Sequence, residues 1–172
     1  MTRKSLIAIA LLLGGAQGAA AANPAVETLG TFQDWSAFTF TDRGQKVCFV
    51  QSKPKSSEPK GAKRGPINAL VTHRPGEKAV DVVSILMGYP LKPGSDVELD
   101  VDSRKFKLFV DKETAWAPDS GTDKQIAEAL IKGNKLTVQG VSARGTKTTD
   151  SYSLNGFGAA HAAITKGCAV KR

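Results

Sequence analysis

The chain contains two cysteines, Cys48 and Cys168, and their chemical state limits the folds that it can adopt. In an oxidising compartment an even cysteine count favours a disulfide over two free thiols. In a reducing compartment the same residues would instead be candidates for catalysis or metal binding. A spacing of seven positions places His161 and Cys168 on one face of a predicted helix. The compartment therefore has to be inferred before the cysteines can be interpreted.

The N-terminal segment, residues 1–22, has the order of a secretory signal peptide. Arg3 and Lys4 precede the apolar run Leu6–Leu13, and small residues follow. The apolar run is much shorter than the roughly 20 residues that cross a bilayer core. We therefore predict export, cleavage before Asn23, and a chain that is not an integral membrane protein. The periplasm is the predicted location, with outer-membrane association or secretion as alternatives.

The predicted mature chain, residues 23–172, has 150 residues and is predicted to form a single domain. Without the two charges of the signal segment, the net charge of +8 becomes +6. This net positive charge is compatible with attraction to anionic lipid head groups, lipopolysaccharide or nucleic acid. Export argues against nucleic acid, and so does the lack of the interleaved aromatic residues on which bases stack.

For an exported chain, we predict a disulfide between Cys48 and Cys168 that ties a C-terminal helix to a strand. The alternative of a reactive Cys168 beside His161 is less favourable, because the C-terminal end of a helix opposes a thiolate. A zinc site is also less favourable, because this pair supplies at most two of the four ligands. No metal and no cofactor is predicted.

The middle of the chain is predicted to form a mainly β fold, an antiparallel β-sandwich or a barrel-like sheet with two short helices. Short segments rich in aromatic and β-branched residues alternate with Gly, Pro, Asn and Asp clusters. The predicted strands include residues 31–40, 46–52, 67–74 and 79–86.

Four carboxylates alternate with apolar residues in "DVELDVDSRKFKLFV", residues 96–110. A turn at Asp102 and Ser103 would place Asp100 opposite Lys105. Along the rest of the two strands, it would place charged residues opposite charged residues and apolar residues opposite apolar residues. A calcium site is the alternative, but the glycine of a calcium-binding loop is missing. The pattern therefore predicts a β-hairpin.

Two helices are predicted from capping and periodicity. The first, in residues 120–134, has a capping-box pattern of Thr122 and Gln125 and ends at Gly133. Asn155 is the predicted cap of the second, C-terminal helix. The inward stripe of that helix comprises Phe157, His161, Ile164 and Cys168.

The segment of residues 52–66 is a Pro-, Ser- and Lys-rich loop that could contact an anionic surface. Its plain alternative is a solvated connection between strands. The candidate contact residues are Lys53, Lys55, Lys60, Lys63 and Arg64.

Catalysis has little support in the sequence. A small exported hydrolase that uses His73 or His161 is the alternative to a binding protein, but the G-x-S-x-G nucleophile motif is missing from the sequence. No catalytic residue is predicted. The expected partner is an envelope or host protein, or an anionic surface.

Several segments of the chain occur in a fixed order: "FQDWSAFTF", "LVTHRP", "GYPLKPG" and, before an Ala-rich helix and a cysteine, "YSLNGF". In these segments and their order, the chain resembles the invasion-associated locus B family of exported bacterial proteins. The resemblance extends over nearly the whole mature chain. It implies a periplasmic or envelope-associated, non-enzymatic protein of antiparallel strands, linked in some pathogens to host-cell entry. Many members have a second, central cysteine pair, which residues 105–119 lack, so the resemblance is to a divergent subgroup.

Overall fold

The computed structural model describes residues 25–171 as one antiparallel sheet of eleven strands with two α-helices. The predicted signal peptide, residues 1–22, lies outside the described residues. The strands are β1 Glu27–Phe32, β2 Trp35–Asp42, β3 Gln45–Ser52, β4 Ser56–Glu58, β5 Asn68–Arg74, β6 Ala79–Leu86, β7 Asp96–Val101, β8 Arg104–Asp111, β9 Thr114–Trp116, β10 Lys135–Val141 and β11 Lys147–Ser153. The helices are α1 Ser120–Lys132 and α2 Phe157–Gly167, and Pro75–Glu77 forms a 3-10 turn. Within the described part of the chain, no helix has the length and apolar character needed to cross a membrane.

The connection from β3 to β4 requires the sheet to curl. The strand order is β1-β2-β3-β5-β6-β9-β8-β7-β10-β11-β4, so β3 is third from one edge and β4 forms the other edge. In a flat sheet these strands would lie about 38 Å apart, whereas the step from Ser52 to Ser56 spans at most about 14 Å. The two ends of the sheet also contact each other, because the Trp35 indole N–H in β2 donates to the Ser153 carbonyl in β11 at 2.9 Å. The predicted mainly β, antiparallel fold with two helices, one of them C-terminal, is confirmed.

The interior of the curled sheet is apolar, and α2 packs against it. Alternate residues are buried in strands such as β2, β5, β7 and β11, as the period of two requires. Helix α2 contacts β1, β2 and β3. Trp35 is fully buried, and its ring meets Phe157 edge to face at 4.8 Å. The predicted inward stripe of the C-terminal helix is confirmed, because Phe157, His161, Ile164 and Cys168 are all buried.

The disulfide prediction is also confirmed. Cys48 in β3 and Cys168 at the end of α2 are bonded, with their Cα atoms 5.9 Å apart. The bridge therefore holds the C-terminal helix against the sheet.

The hairpin of β7 and β8 has the predicted register, with Asp100 opposite Lys105. Asp102 and Ser103 have φ angles of 47° and 77°, which a two-residue turn with both central residues left-handed requires. The ion pairs form diagonally: Lys105 Nζ lies 2.8 Å from a Glu98 carboxylate oxygen. The hydrogen bond to Glu98 raises the pKa of Lys105.

Three local predictions are wrong in detail. Asp119, and not Thr122, caps α1, because its carboxylate accepts the Thr122 backbone N–H at 2.8 Å. Gly156, and not Asn155, caps α2; its φ is 88°, and a Cβ there would lie 1.9 Å from the Phe32 carbonyl oxygen. The segment of residues 31–40 contains a turn between β1 and β2 and does not form one strand.

Asp123 is a buried carboxyl that we expect to make stability depend on pH. It accepts the Val83 backbone N–H at 2.7 Å. Burial is the main reason that its pKa rises from 3.8 to about 6, and the nearby Asp81 adds to the rise. A pKa raised by folding means that the ionised form costs stability, and this cost develops as pH increases from about 4 to about 6.

Replacement of Asp123 by asparagine is therefore expected to increase the free energy of unfolding at pH 8 and to change it little at pH 4. The amide oxygen can still accept the Val83 N–H, so the variant removes mainly the charge. Urea unfolding at both pH values measures the difference, with the exposed Asp111→Asn as the matched control. Equal effects at the two pH values, or destabilisation at pH 8, would contradict this assignment.

Candidate functional site

The basic segment of residues 52–66 is fixed to the sheet and is not an unstructured connection. Its middle forms β4, which pairs with β11, and the Lys55 backbone N–H donates to the Ser151 carbonyl at 2.7 Å. The Lys55 ammonium group also pairs with the Asp34 carboxylate. Four of the five candidate contact residues have exposed side chains: Lys53, Lys55, Lys60 and Lys63. These four lysines are called the loop lysines below.

Arg64 has a different environment from the loop lysines. Its side chain is 6% exposed, and both terminal nitrogens contact the Asp150 carboxylate oxygens at 2.7 Å. The guanidinium group also donates to the Met87 carbonyl and lies over the Tyr89 ring, 4.9 Å from its centroid. Such a buried, bidentate ion pair fixes the position of the basic segment. Because these contacts face inward, the contact surface that we propose below does not include Arg64.

A cleft of about 510 Å³ lies beside this ion pair. Its walls are the end of the basic segment, residues 62–64, the connection of residues 88–90 after β6, and the turn of residues 142–146 between β10 and β11. Backbone hydrogen bonds join these walls: Gly65 N–H donates to Gly88 O at 2.7 Å, and Ala143 N–H donates to Pro90 O at 2.8 Å. The three chain segments therefore form one connected site, which we call the basic cleft.

The basic cleft has a positive rim. Lys63 and Arg144 line it from different chain segments, and both side chains are exposed. Within residues 25–171 neither of them forms an ion pair, and no carboxylate belongs to the lining residues. Two unneutralised cations beside a concave surface attract anions. Arg144 was not among the residues singled out from sequence, because an isolated arginine in a turn has no distinguishing pattern.

Both histidines lie in a second, buried cluster, and each has a side-chain partner that is distant in sequence. Thr165 is 92 positions from His73, and Asp81 is 80 positions from His161. His73, Asp81 and His161 are at most 5% exposed. His161 Nε2 lies 2.7 Å from an Asp81 carboxylate oxygen, and His73 Nε2 lies 3.2 Å from Thr165 Oγ1. The cluster connects β5 and β6 to α2, next to the disulfide.

The directions of these hydrogen bonds determine the proton position on His73. The Asp81 backbone N–H donates to His73 Nδ1 at 3.1 Å, so the proton of the neutral ring is on Nε2. That proton points to Thr165 Oγ1, whose own hydroxyl donates to the His161 carbonyl at 2.9 Å. A general base for a hydroxyl nucleophile needs the opposite arrangement, with a lone pair facing the hydroxyl.

The same three side chains also have the residue types of a metal site. One ligand atom from each of His73, Asp81 and His161 lies within 4.8 Å of the others. Coordination through His73 Nδ1 would require the lone pair that now accepts the Asp81 N–H. Hydrogen bonding accounts for the described geometry, and we assign no metal to it.

Comparison with known proteins agrees with this architecture. The family model "Invasion associated locus B (IalB) protein" matches residues 35–165. The crystal structure of invasion associated protein B from Bartonella henselae is similar in fold, with a TM-score of 0.57 and 18% sequence identity over 82% of this chain and 98% of that chain. Among curated proteins, no sequence matches this chain.

The fold thus defines a class of curled, antiparallel β proteins in which a disulfide holds a C-terminal helix against the sheet. The chain belongs to the invasion-associated locus B family.

Proposed function

We propose that this protein is exported to the periplasm, where it is an envelope-associated binding protein without catalytic activity. Its contact surface consists of the loop lysines and the rim of the basic cleft, and its partner is an anionic surface. Contribution to host-cell invasion is the role that family membership suggests. The observation that carries the proposal is the concentration of exposed cations on one connected segment beside a concave site.

The charge distribution supports a contact surface at this place. Lys53, Lys60 and Lys63 have exposed side chains that form no ion pair within residues 25–171. Exposed lysines elsewhere, such as Lys46 and Lys112, also form no ion pair within the described residues, but they belong to separate strands and turns, whereas the loop lysines lie within eleven consecutive residues. Unpaired lysines near an anionic surface each contribute about 1 kcal/mol of attraction.

The buried cluster supports a non-catalytic role. His73 is fully buried, its Nδ1 accepts the Asp81 backbone N–H, and its Nε2 faces the Thr165 hydroxyl, which itself donates to the His161 carbonyl. The hydrogen bonds of the cluster connect α2 to β5 and β6 and so help to hold the helix against the sheet. The hydrolase alternative requires an accessible histidine beside a nucleophile.

Vesicle sedimentation tests the proposed function. The mature chain is expected to bind vesicles that contain anionic phosphatidylglycerol, to bind neutral phosphatidylcholine vesicles weakly, and to dissociate as salt screens the charges. Glutamine in place of all four loop lysines is expected to reduce anionic binding by at least about tenfold.

A matched control removes the same number of exposed charges elsewhere: Lys46, Lys78, Lys112 and Lys124. If the control variant lost as much binding as the loop variant, the protein would respond to net charge alone, and the proposed contact surface would be wrong. Equal binding of the wild type to neutral and anionic vesicles would contradict the anionic partner.

A further inference from the structure

The basic cleft carries hydroxyl groups in addition to its two cations. Ser142, Thr146 and Thr148 line it together with Tyr89. The Thr146 backbone N–H donates to Ser142 Oγ at 3.1 Å, so the Ser142 hydroxyl proton is available for a further acceptor. The Tyr89 and Thr148 hydroxyls bond to each other. This lining suits a ligand that is both anionic and rich in hydroxyl groups.

The charge in the cleft matches one doubly charged group. Asp150 neutralises Arg64, so the uncompensated charge comes from Lys63 and Arg144. A phosphate monoester carries about −1.5 to −2 charges at pH 7. Arginine and lysine are the side chains that bind phosphate oxygens most often, the first as a planar fork and the second as a point charge.

The size of the cleft indicates more than an inorganic ion. Its volume of about 510 Å³ lies within the range of small-molecule sites, about 300–1,000 Å³. A single phosphate would leave most of this space, including the hydroxyl-bearing turn of residues 142–146, without contacts. A sugar ring attached to the phosphate would reach that turn.

The walls of the cleft are held in place before any ligand arrives. Arg64 contacts Asp150, Met87 and Tyr89 at once and so fixes the segment that carries Lys63. The turn that carries Arg144 is closed by the Ser142 N–H bond to the Thr146 carbonyl at 2.9 Å. Pre-organised walls reduce the entropy that a ligand must overcome.

Building on the proposed contact with an anionic surface, we propose that the basic cleft binds a phosphorylated sugar. The phosphate lies between Lys63 and Arg144, and the sugar hydroxyls bond to Ser142 and Thr146. The same chemistry occurs in a free sugar phosphate and in the head group of a phosphorylated glycolipid.

Calorimetric titration of the mature chain with glucose 6-phosphate, inorganic phosphate and glucose tests this proposal. Glucose 6-phosphate is expected to bind at least about tenfold more tightly than either of the other probes. Arg144→Gln and Lys63→Gln are each expected to weaken its binding about tenfold, since each removes a charge-assisted hydrogen bond. Arg43→Gln, in the exposed turn between β2 and β3, is the matched control and should bind like the wild type.

Equal affinity for phosphate and glucose 6-phosphate, or an Arg144→Gln variant that binds like the wild type, would overturn the proposal. Such a result would leave the proposed function intact if the loop lysines still governed vesicle binding. If, in contrast, vesicle binding did not depend on the loop lysines, the proposed function would be wrong, and the sugar-phosphate site would be unaffected by that result.

Neutral vesicles that contain a phosphorylated glycolipid identify the source of the sugar. If they retain the protein and glucose 6-phosphate releases it, the ligand is a lipid head group. If only the soluble sugar phosphate binds, the ligand is a free metabolite. Both results support the site, whereas retention that glucose 6-phosphate does not reverse, with no binding of the soluble probe, would contradict it.

Discussion

Replacement of Arg64 by alanine is expected to lower the free energy of unfolding by about 3–5 kcal/mol, because it leaves the Asp150 carboxylate buried and unpaired. Asp150 has no exposed surface, and in the native chain both of its oxygens accept from Arg64 at 2.7 Å. The same substitution removes the group that holds the basic segment against β11 and against Met87, which follows β6. Urea unfolding of the oxidised protein measures the loss.

A double variant separates the buried charge from general damage. In Arg64→Met with Asp150→Leu, no unpaired charge remains, and the double variant is expected to be more stable than Arg64→Ala by several kcal/mol, on the order of what the buried pair costs to break. A loss of less than about 1 kcal/mol in Arg64→Ala would show that water or a rearranged partner solvates Asp150, against the buried geometry described here.

Removal of the Cys48–Cys168 disulfide is expected to have an effect of similar size. The bond joins residues 120 positions apart. A loop of this length corresponds to a stabilisation of roughly 4–5 kcal/mol in the chain-entropy description. Alanine is the suitable replacement at both positions, because the two side chains are at most 5% exposed. Unfolding in urea, monitored by tryptophan fluorescence, measures the difference.

Reduction of the wild-type disulfide should reproduce the destabilisation of the Cys48→Ala, Cys168→Ala variant, and the variant itself should no longer respond to a reducing agent. Amide exchange should accelerate first in α2, which the bond holds against β3. A double-alanine variant as stable as the wild type would show that packing of Phe157 and Ile164 alone fixes this helix.

The features that sequence predicted correctly are those that local patterns determine. The β7–β8 hairpin was predictable in register because charges and apolar residues alternate symmetrically about Asp102 and Ser103. The disulfide was predictable because a chain that is predicted to be exported and has two cysteines allows one pairing. The helix caps were less predictable, since Asp119 and Thr122 both fit the pattern and only the observed helix start distinguishes them.

The role of Arg64 could not be predicted, because it stands in a segment with four lysines that are exposed. The available signal was in its partner: Asp150 alternates with Thr148 and Tyr152 along β11 and therefore points inward. An inward carboxylate requires a partner, but sequence does not show which cation approaches it. The pairing spans 86 residues and depends on the curl that brings β4 to β11.

The histidine cluster was missed for a similar reason. His161 was correctly placed among packing residues, but its partner Asp81 lies 80 residues away in the strand sequence "AVDVVSIL", where a single acid interrupts apolar residues. That interruption was the only local signal of a buried polar network. The packing of α2 against β5 and β6 determines which histidine Asp81 contacts.

Hydrogen–deuterium exchange of the mature protein with and without anionic vesicles tests the central claim most directly, that the basic segment and the basic cleft form the contact surface. Bound protein is expected to show slower amide exchange in residues 53–64 and 142–146, while the β7–β8 hairpin, in which Lys105 and Lys107 are paired with carboxylates, exchanges as before. Protection confined to the hairpin or to another face, with residues 53–64 unchanged, would contradict the account.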